Sequence, residues 1–179
     1  QSSTEIGQSQ DEDFHNVLTV DGFLLFQDEV STCDVHSASG QKDPITFAPP
    51  IDMLGSMNLA FSPDPVFIRV PRGSKVERPL VIHHQWNQDG AACFPLVHVE
   101  VEENAEIEIV EIFHNAEVSS LVIPGTRINV GNGSNVNYQQ VQNLNQNVWK
   151  LGTLDVSVAQ QATFQGAIAA IGGAYARLK

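Results

Sequence analysis

The sequence has two cysteines, Cys33 and Cys93, in 179 residues, too few for a disulfide framework, and that usage fits a reducing compartment. Basic residues are scarce as well: nine Lys and Arg stand against 21 Asp and Glu, for a net charge of −12. That balance excludes a nucleic-acid-binding face, which needs a basic footprint to neutralise phosphates. No apolar run approaches the roughly 20 residues that a membrane-spanning helix needs. The start, QSSTEIGQSQDEDFHN, lacks the basic head and apolar centre of a secretory signal. No G-x-x-x-x-G-K-[ST] occurs, so a P-loop is absent. These absences lead to the expectation of a soluble, cytoplasmic chain, or a stromal one in a plastid-bearing organism. With 42% hydrophobic residues it can bury one good core.

What is present is a repeat. VPRGSKV (70–76), VEENAEI (101–107), VGNGSNV (130–136) and VAQQATF (158–164) all read Val, three variable residues, Ser or Ala, a polar residue and an apolar one. They recur at about 28–31 residues, a period that signals stacked units. No long amphipathic helix separates them, so the strands must be buried by stacking coil on coil. The fold class read from this is all-β, a right-handed parallel β-helix over residues 66–179, truncated at its C-terminal end. The small residue (Ser74, Ala105, Ser134, Ala162) sits where coils meet closely at a corner. Val76, Ile107, Val136 and Phe164 then form one inward ladder, about 4.8 Å apart per coil. Ahead of the solenoid, residues 1–16 have too little apolar surface to offset ordering entropy and read as disordered or linker. Residues 17–65 read as a short non-solenoid region. It holds a strand–turn–strand around Asp21-Gly22, a turn-rich stretch over 27–50, and one helix in IDMLGSMNLAF that Pro63 and Pro65 end.

At this point the residues resemble a family. AFSPDPVFIRVPRGSKVERPLVI is similar to the entry into the β-helix of the SufB/SufD proteins of the SUF iron–sulphur cluster assembly machinery. VEENAEIEIVEIF, VQNLNQN and the closing IGGAYAR resemble that family's later coils. The resemblance covers about residues 51–179. It implies a non-catalytic scaffold, with no catalytic residues and no resident cofactor in this fragment; a transient cluster belongs to the full-length complex. It also implies a SufB-like paralogue and a SufC-like ABC ATPase as partners. Family members continue past the Gly-Gly…Arg motif, so the chain reads as a core fragment whose ATPase and heterodimer contacts lie beyond Lys179. Gln142-Asn143 matches a family pair whose Gln lines the interior path of the B-type subunit. Leu144 stands where that subunit has an aromatic residue, which points to a D-type paralogue.

The residues themselves offer weaker chemistry. Cys33-x-x-His36 is half a metal site. Cys93 and His114 are the remaining metal candidates, each with a competing structural role: a thiol as a small hydrophobe, a histidine held by hydrogen bonds. His83 and His84 must point to opposite faces of a strand. Within NVNYQQVQNLNQNV the solenoid phase places Val136, Tyr138 and Val141 inside. Arg69, Arg72, Lys75 and Arg78 form either a solvated corner or a dock for an acidic partner. The last coil exposes Ala167, Ile168, Ala169 and Ile171 without a cap, so the fragment is expected to self-associate there as a homo-oligomer. Two other functions compete with the scaffold. One is a β-helix enzyme acting on acidic polysaccharide, with Glu100, Glu102 and Glu103 as its acids; the other is a purely structural solenoid.

Overall fold

The computed structural model describes residues 13–38, 49–50 and 52–179. The chain opens with β1 (His15–Val20), β2 (Phe23–Gln27), β3 (Asp34–Ser37) and α1 (Met53–Phe61). Four coils follow. The first has β4 (Val66–Val70), β5 (Leu80–Gln85) and β6 (Ala91–Cys93); the second has β7 (Leu96–Val101), β8 (Glu106–His114) and β9 (Ser120–Val122). The third has β10 (Gly125–Val130), β11 (Asn135–Leu144) and the start of β12 (Val148–Val158), which turns the corner to begin the fourth. That last coil is completed by β13 (Thr163–Gly172) and β14 (Tyr175–Leu178). Stacking yields a six-stranded sheet in the order β13-β11-β8-β5-β1-β2. The other sheet runs β3-β4-β7-β10-β12-β9-β6, with β14 on β12. All pairings between coils are parallel. The chain is a parallel β-helix of four coils, as its repeat implies.

The expected ladder is present. Val136 lies opposite both Ile107 and Phe164, and the Val76 amide donates to the Glu106 carbonyl at 3.0 Å. Val76, Ile107 and Val136 are buried, and Phe164 packs against them. The corner has a rule that the sequence pattern hid among its variable positions. Its fourth residue is left-handed in every coil: Gly73 (φ 70°), Asn104 (57°), Gly133 (69°) and Gln161 (57°). This turns the chain so that the amide of the next residue bonds back, Ser74 to Pro71 and Ser134 to Gly131. The amides of Gly73, Asn104 and Gly133 reach the carbonyls of Glu103, Asn132 and Gln160 in the coil above. Ala105 and Ser134 are fully buried there, and the Ser134 hydroxyl accepts from the Ala105 amide at 3.0 Å. A larger side chain would hold the coils apart.

Three of the four residues of the basic corner pair within the chain. Arg69 pairs with Glu102, Arg72 with Glu103 (2.8 Å) and Lys75 with Glu106 (3.7 Å). These exposed pairs contribute less than about 1 kcal/mol each, but they occupy the cations that an acidic partner would need.

One part of the N-terminal reading changes and one holds. First, β1 begins at His15 and stacks parallel on β5, from His15 opposite Leu80 to Val20 opposite Gln85. The hairpin with β2 across Asp21-Gly22 is as expected, yet its first strand extends the solenoid's sheet rather than standing apart. Residues 1–12, and 39–48 of the turn-rich stretch, lie outside the described residues. Second, α1 forms where expected, capped by Asp52 Oδ1, which accepts from the Gly55 amide at 2.9 Å. Its buried side is Gly55 and Asn58, while Met53 and Phe61 are exposed. The helix lies across two coil corners, and Asn58 Nδ2 donates to a carbonyl at each, Pro95 O and Ile123 O, at 2.8 Å.

The left-handed corner yields a test. Gln161 bears a steric penalty there that glycine does not. Gln161→Gly is expected to stabilise the protein by about 1 kcal/mol, read as a higher urea midpoint with an unchanged slope. A lower midpoint would contradict this account of the corner.

Candidate functional site: a polar column inside the coils

Strand alternation sends Ile82, His84, Ile109, Glu111 and Phe113 inward from β5 and β8. On β11 the inward residues are Val136, Tyr138, Gln140, Gln142 and Leu144. Val141 therefore faces outward and is only half-buried, and the amides of Gln140 and Gln142 are inside, contrary to the phase read from sequence. Parallel register stacks Ile82, Glu111 and Gln140 in one row and His84, Phe113 and Gln142 in the next.

The polar members join into one chain of hydrogen bonds. Thr19 Oγ1 lies 2.7 Å from His84 Nδ1, and His84 Nε2 lies 3.3 Å from Glu111 Oε1. The Thr126 hydroxyl lies 2.9 and 3.1 Å from the two carboxylate oxygens, and the Tyr138 hydroxyl donates to Glu111 Oε2. Gln140 Nε2 then donates to the Tyr138 oxygen at 3.0 Å, and Lys150 Nζ donates to Gln140 Oε1 at 3.0 Å. The Lys150 ammonium also sits 4.0 Å from the centre of the Phe113 ring, which stacks on His84. Glu111 is fully buried and Lys150 is 1% exposed. An isolated charge at such depth costs several kcal/mol, so the donors around Glu111 are a condition of its ionisation.

These surroundings move the titrations. Burial pushes the Glu111 carboxyl up, but hydrogen bonds from His84, Tyr138 and Thr126, with the His84 charge, outweigh it and hold the group below its ordinary value. Burial and the Glu111 charge raise the Tyr138 hydroxyl, so it stays a donor. Burial pulls Lys150 down to about 8 despite the attraction of Glu111. The column thus holds a carboxylate favoured in its charged form and an amine whose charged form burial disfavours.

The residues singled out from sequence fall differently. Gln142 is inside, 3% exposed, with Nε2 donating to Gly172 O at 3.3 Å, whereas Asn143 is exposed on the outer face. Leu144 is inside, in an apolar cluster with Trp86, Cys93, Phe113, Val122 and Val148. Cys93 belongs to that cluster, while His114 is half-buried beside Gln85 and His83, so the two do not build one metal site. Cys33 is buried, and His36 stacks on Phe67 instead of turning to it. Among the described residues no group of three or more His, Cys, Asp or Glu could hold a metal ion. His83 and His84 do face opposite ways. Glu102 and Glu103 are tied to arginines, and Glu100 accepts from Asn129 at 2.9 Å, so the acids of the polysaccharide reading form no cage. Ala167, Ile168, Ala169 and Ile171 lie exposed on β13, which among the described residues pairs only with β11. Glu111, Tyr138, Gln140 and Lys150 were missed as a group. Their signal was present: Glu111 and Gln140 break an inward aliphatic phase one coil apart.

A family model matches residues 84–179, described as SUF system FeS cluster assembly, SufBD core domain. The chain belongs to the SufBD core family. The match covers more than half the chain and begins at His84, so it takes in most of the polar column. No curated protein matches the chain. No helix among the described residues is long and apolar enough to cross a membrane.

Two tests follow from this geometry. Glu111→Ala leaves the buried ammonium without its counter-charge and is expected to cost about 3–5 kcal/mol at pH 7. Because folding lowers the Glu111 pKa, its stabilisation is complete above the ordinary 4.5 and is lost as pH falls through the folded value. Urea titrations from pH 7 to pH 3 should show this loss in the wild type and a smaller one in Glu111→Gln; equal losses would contradict it. The thiols give the second test. Burial, with Asp34 and Asp21 adding, pushes Cys33 to about 12 and Cys93 to about 11. At pH 8 neither should react with iodoacetamide faster than the protein unfolds, and rapid labelling of either would overturn the assignment.

Proposed function

We propose that the chain is the coil core of a SufD-type scaffold in SUF iron–sulphur cluster assembly. The family match over residues 84–179 carries this reading. The D-type assignment draws on two features of the interior. Leu144 is an aliphatic residue in the inward row, and both thiols lie outside the polar column in apolar surroundings that keep them protonated. A scaffold of this kind holds geometry while partner subunits supply sulphur transfer and ATP hydrolysis. Those partners are a SufB-type paralogue and a SufC-type ABC ATPase, and the assembled cluster is cargo rather than a resident group. Four thiolates are the usual ligand set for a cluster, and this chain has two.

Co-expression with SufB-type and SufC-type subunits tests the reading, followed by size-exclusion chromatography of the tagged chain. Recovery of the chain with the SufB-type subunit is the expected result. Anaerobic reconstitution of the chain alone should give no stoichiometric cluster absorbance. A stable cluster on the isolated chain, with no association with either subunit, would overturn the scaffold proposal.

A further inference from the structure

The alternation that sends His84 inward turns His83 and Gln85 outward on β5, and turns His114 outward on β8 after the inward Phe113. The three side chains meet on the outer face of the six-stranded sheet, away from the polar column, and each is half-buried. The rings of His83 and His114 stand edge to face, with centres 6.0 Å apart and planes at 75°. Two imidazoles on one metal ion, with nitrogen–metal bonds of about 2.1 Å, have ring centres roughly 5–6 Å apart. A small turn of either ring therefore lets the pair share an ion. Gln85 fixes the tautomer of one of them. Its Nε2 lies 3.1 Å from His114 Nε2, and an amide nitrogen only donates, so the lone pair of His114 is on Nε2 and faces this cluster. An imidazole with its free nitrogen already aimed is the form in which histidine binds metal. Turned over, the same amide presents Oε1 as a third donor. Among the described residues no carboxylate or thiol joins the two histidines. Their flanks are apolar, with Leu18 on β1 and Ile112 on β8 opposite His83.

We propose that His83 and His114 bind one divalent transition-metal ion through their ring nitrogens, with Gln85 turning its amide oxygen toward it. The site goes beyond the scaffold reading and stands without it. Two imidazoles and an amide suit Zn²⁺, Ni²⁺ or Fe²⁺, and they offer Mg²⁺ and Ca²⁺ no charged oxygen. Three protein donors leave at least one position open, so the ion keeps water there and exchanges with a ligand from outside. Both strands lie inside the sheet, β5 between β1 and β8, and β8 between β5 and β11. The donors are therefore carried on backbone that stacking already holds in place.

Calorimetric titration of the whole chain with Zn²⁺ in a non-chelating buffer tests this, with Mg²⁺ as the comparison. One Zn²⁺ per chain is expected, and no binding of Mg²⁺. His83→Phe and His114→Phe keep a packed ring but remove its nitrogens, and each should weaken Zn²⁺ binding by about tenfold or more. Gln85→Leu should weaken it less, and His36→Gln should leave it unchanged. Nitrogen-15 spectra of the histidine rings need no variant. Zn²⁺ should move the ring nitrogens of His83 and His114 and leave those of His15, His36 and His98 in place. Absence of Zn²⁺ binding, binding that survives both phenylalanine variants, or shifts at the other histidines instead would each overturn the proposal.

Discussion

Parallel stacking in register governs this molecule. Each inward side chain meets the residue at the same position one coil away, so burial is decided by columns of equivalent residues rather than by single positions. The ladder of Val76, Ile107, Val136 and Phe164 satisfies that constraint with apolar groups. The neighbouring rows satisfy it with a mixture in which each polar group finds its partner in an adjacent row or an adjacent coil. Stacking also fixes the corner, because only a left-handed residue followed by a small one lets successive backbones approach.

The sequence showed the architecture clearly because the corner repeats. Val, a short polar stretch, Ser or Ala, and an apolar residue recur often enough to set period and phase together. Less could be read where phase depended on composition. Val141 was placed inside because it is apolar, and Gln140 was not, because it is an amide; register decides the opposite. Helix α1 repeats the lesson. Met53 and Phe61 have helical spacing, yet the buried side is chosen by Asn58, whose two donors meet backbone carbonyls that no sequence pattern reveals. The polar column was missed for a related reason: its central links, His84 to Glu111 and Glu111 to Tyr138, each join residues 27 apart that meet only when coils stack.

A buried carboxylate and a buried amine are an unusual thing for a stable solenoid to keep. A hydrophobic replacement of similar volume is often neutral or stabilising. Glu111 is held by three donors, whereas Lys150 is served less well, and the difference puts the column's strain at one end.

The coils do not vary in length evenly. The corner after the long strand takes five residues at 115–119, three at 145–147 and two at 173–174. On the opposite side Asn58 spans the carbonyls of Pro95 and Ile123, and a Cβ on Gly125 would fall 2.4 Å from its side-chain oxygen. One flank of the solenoid is therefore gauged by a helix, and the other is joined by polar bonds between turns of unequal length, from Asn145 to Asn115, Ala116 and Val118. At that corner the turn length falls from five residues to two while the long strands keep their parallel register. On the gauged flank, one added residue would shift every later coil out of step with the helix. The molecule has a grain: variation in turn length is absorbed at the polar corner, and the flank under the helix keeps its spacing.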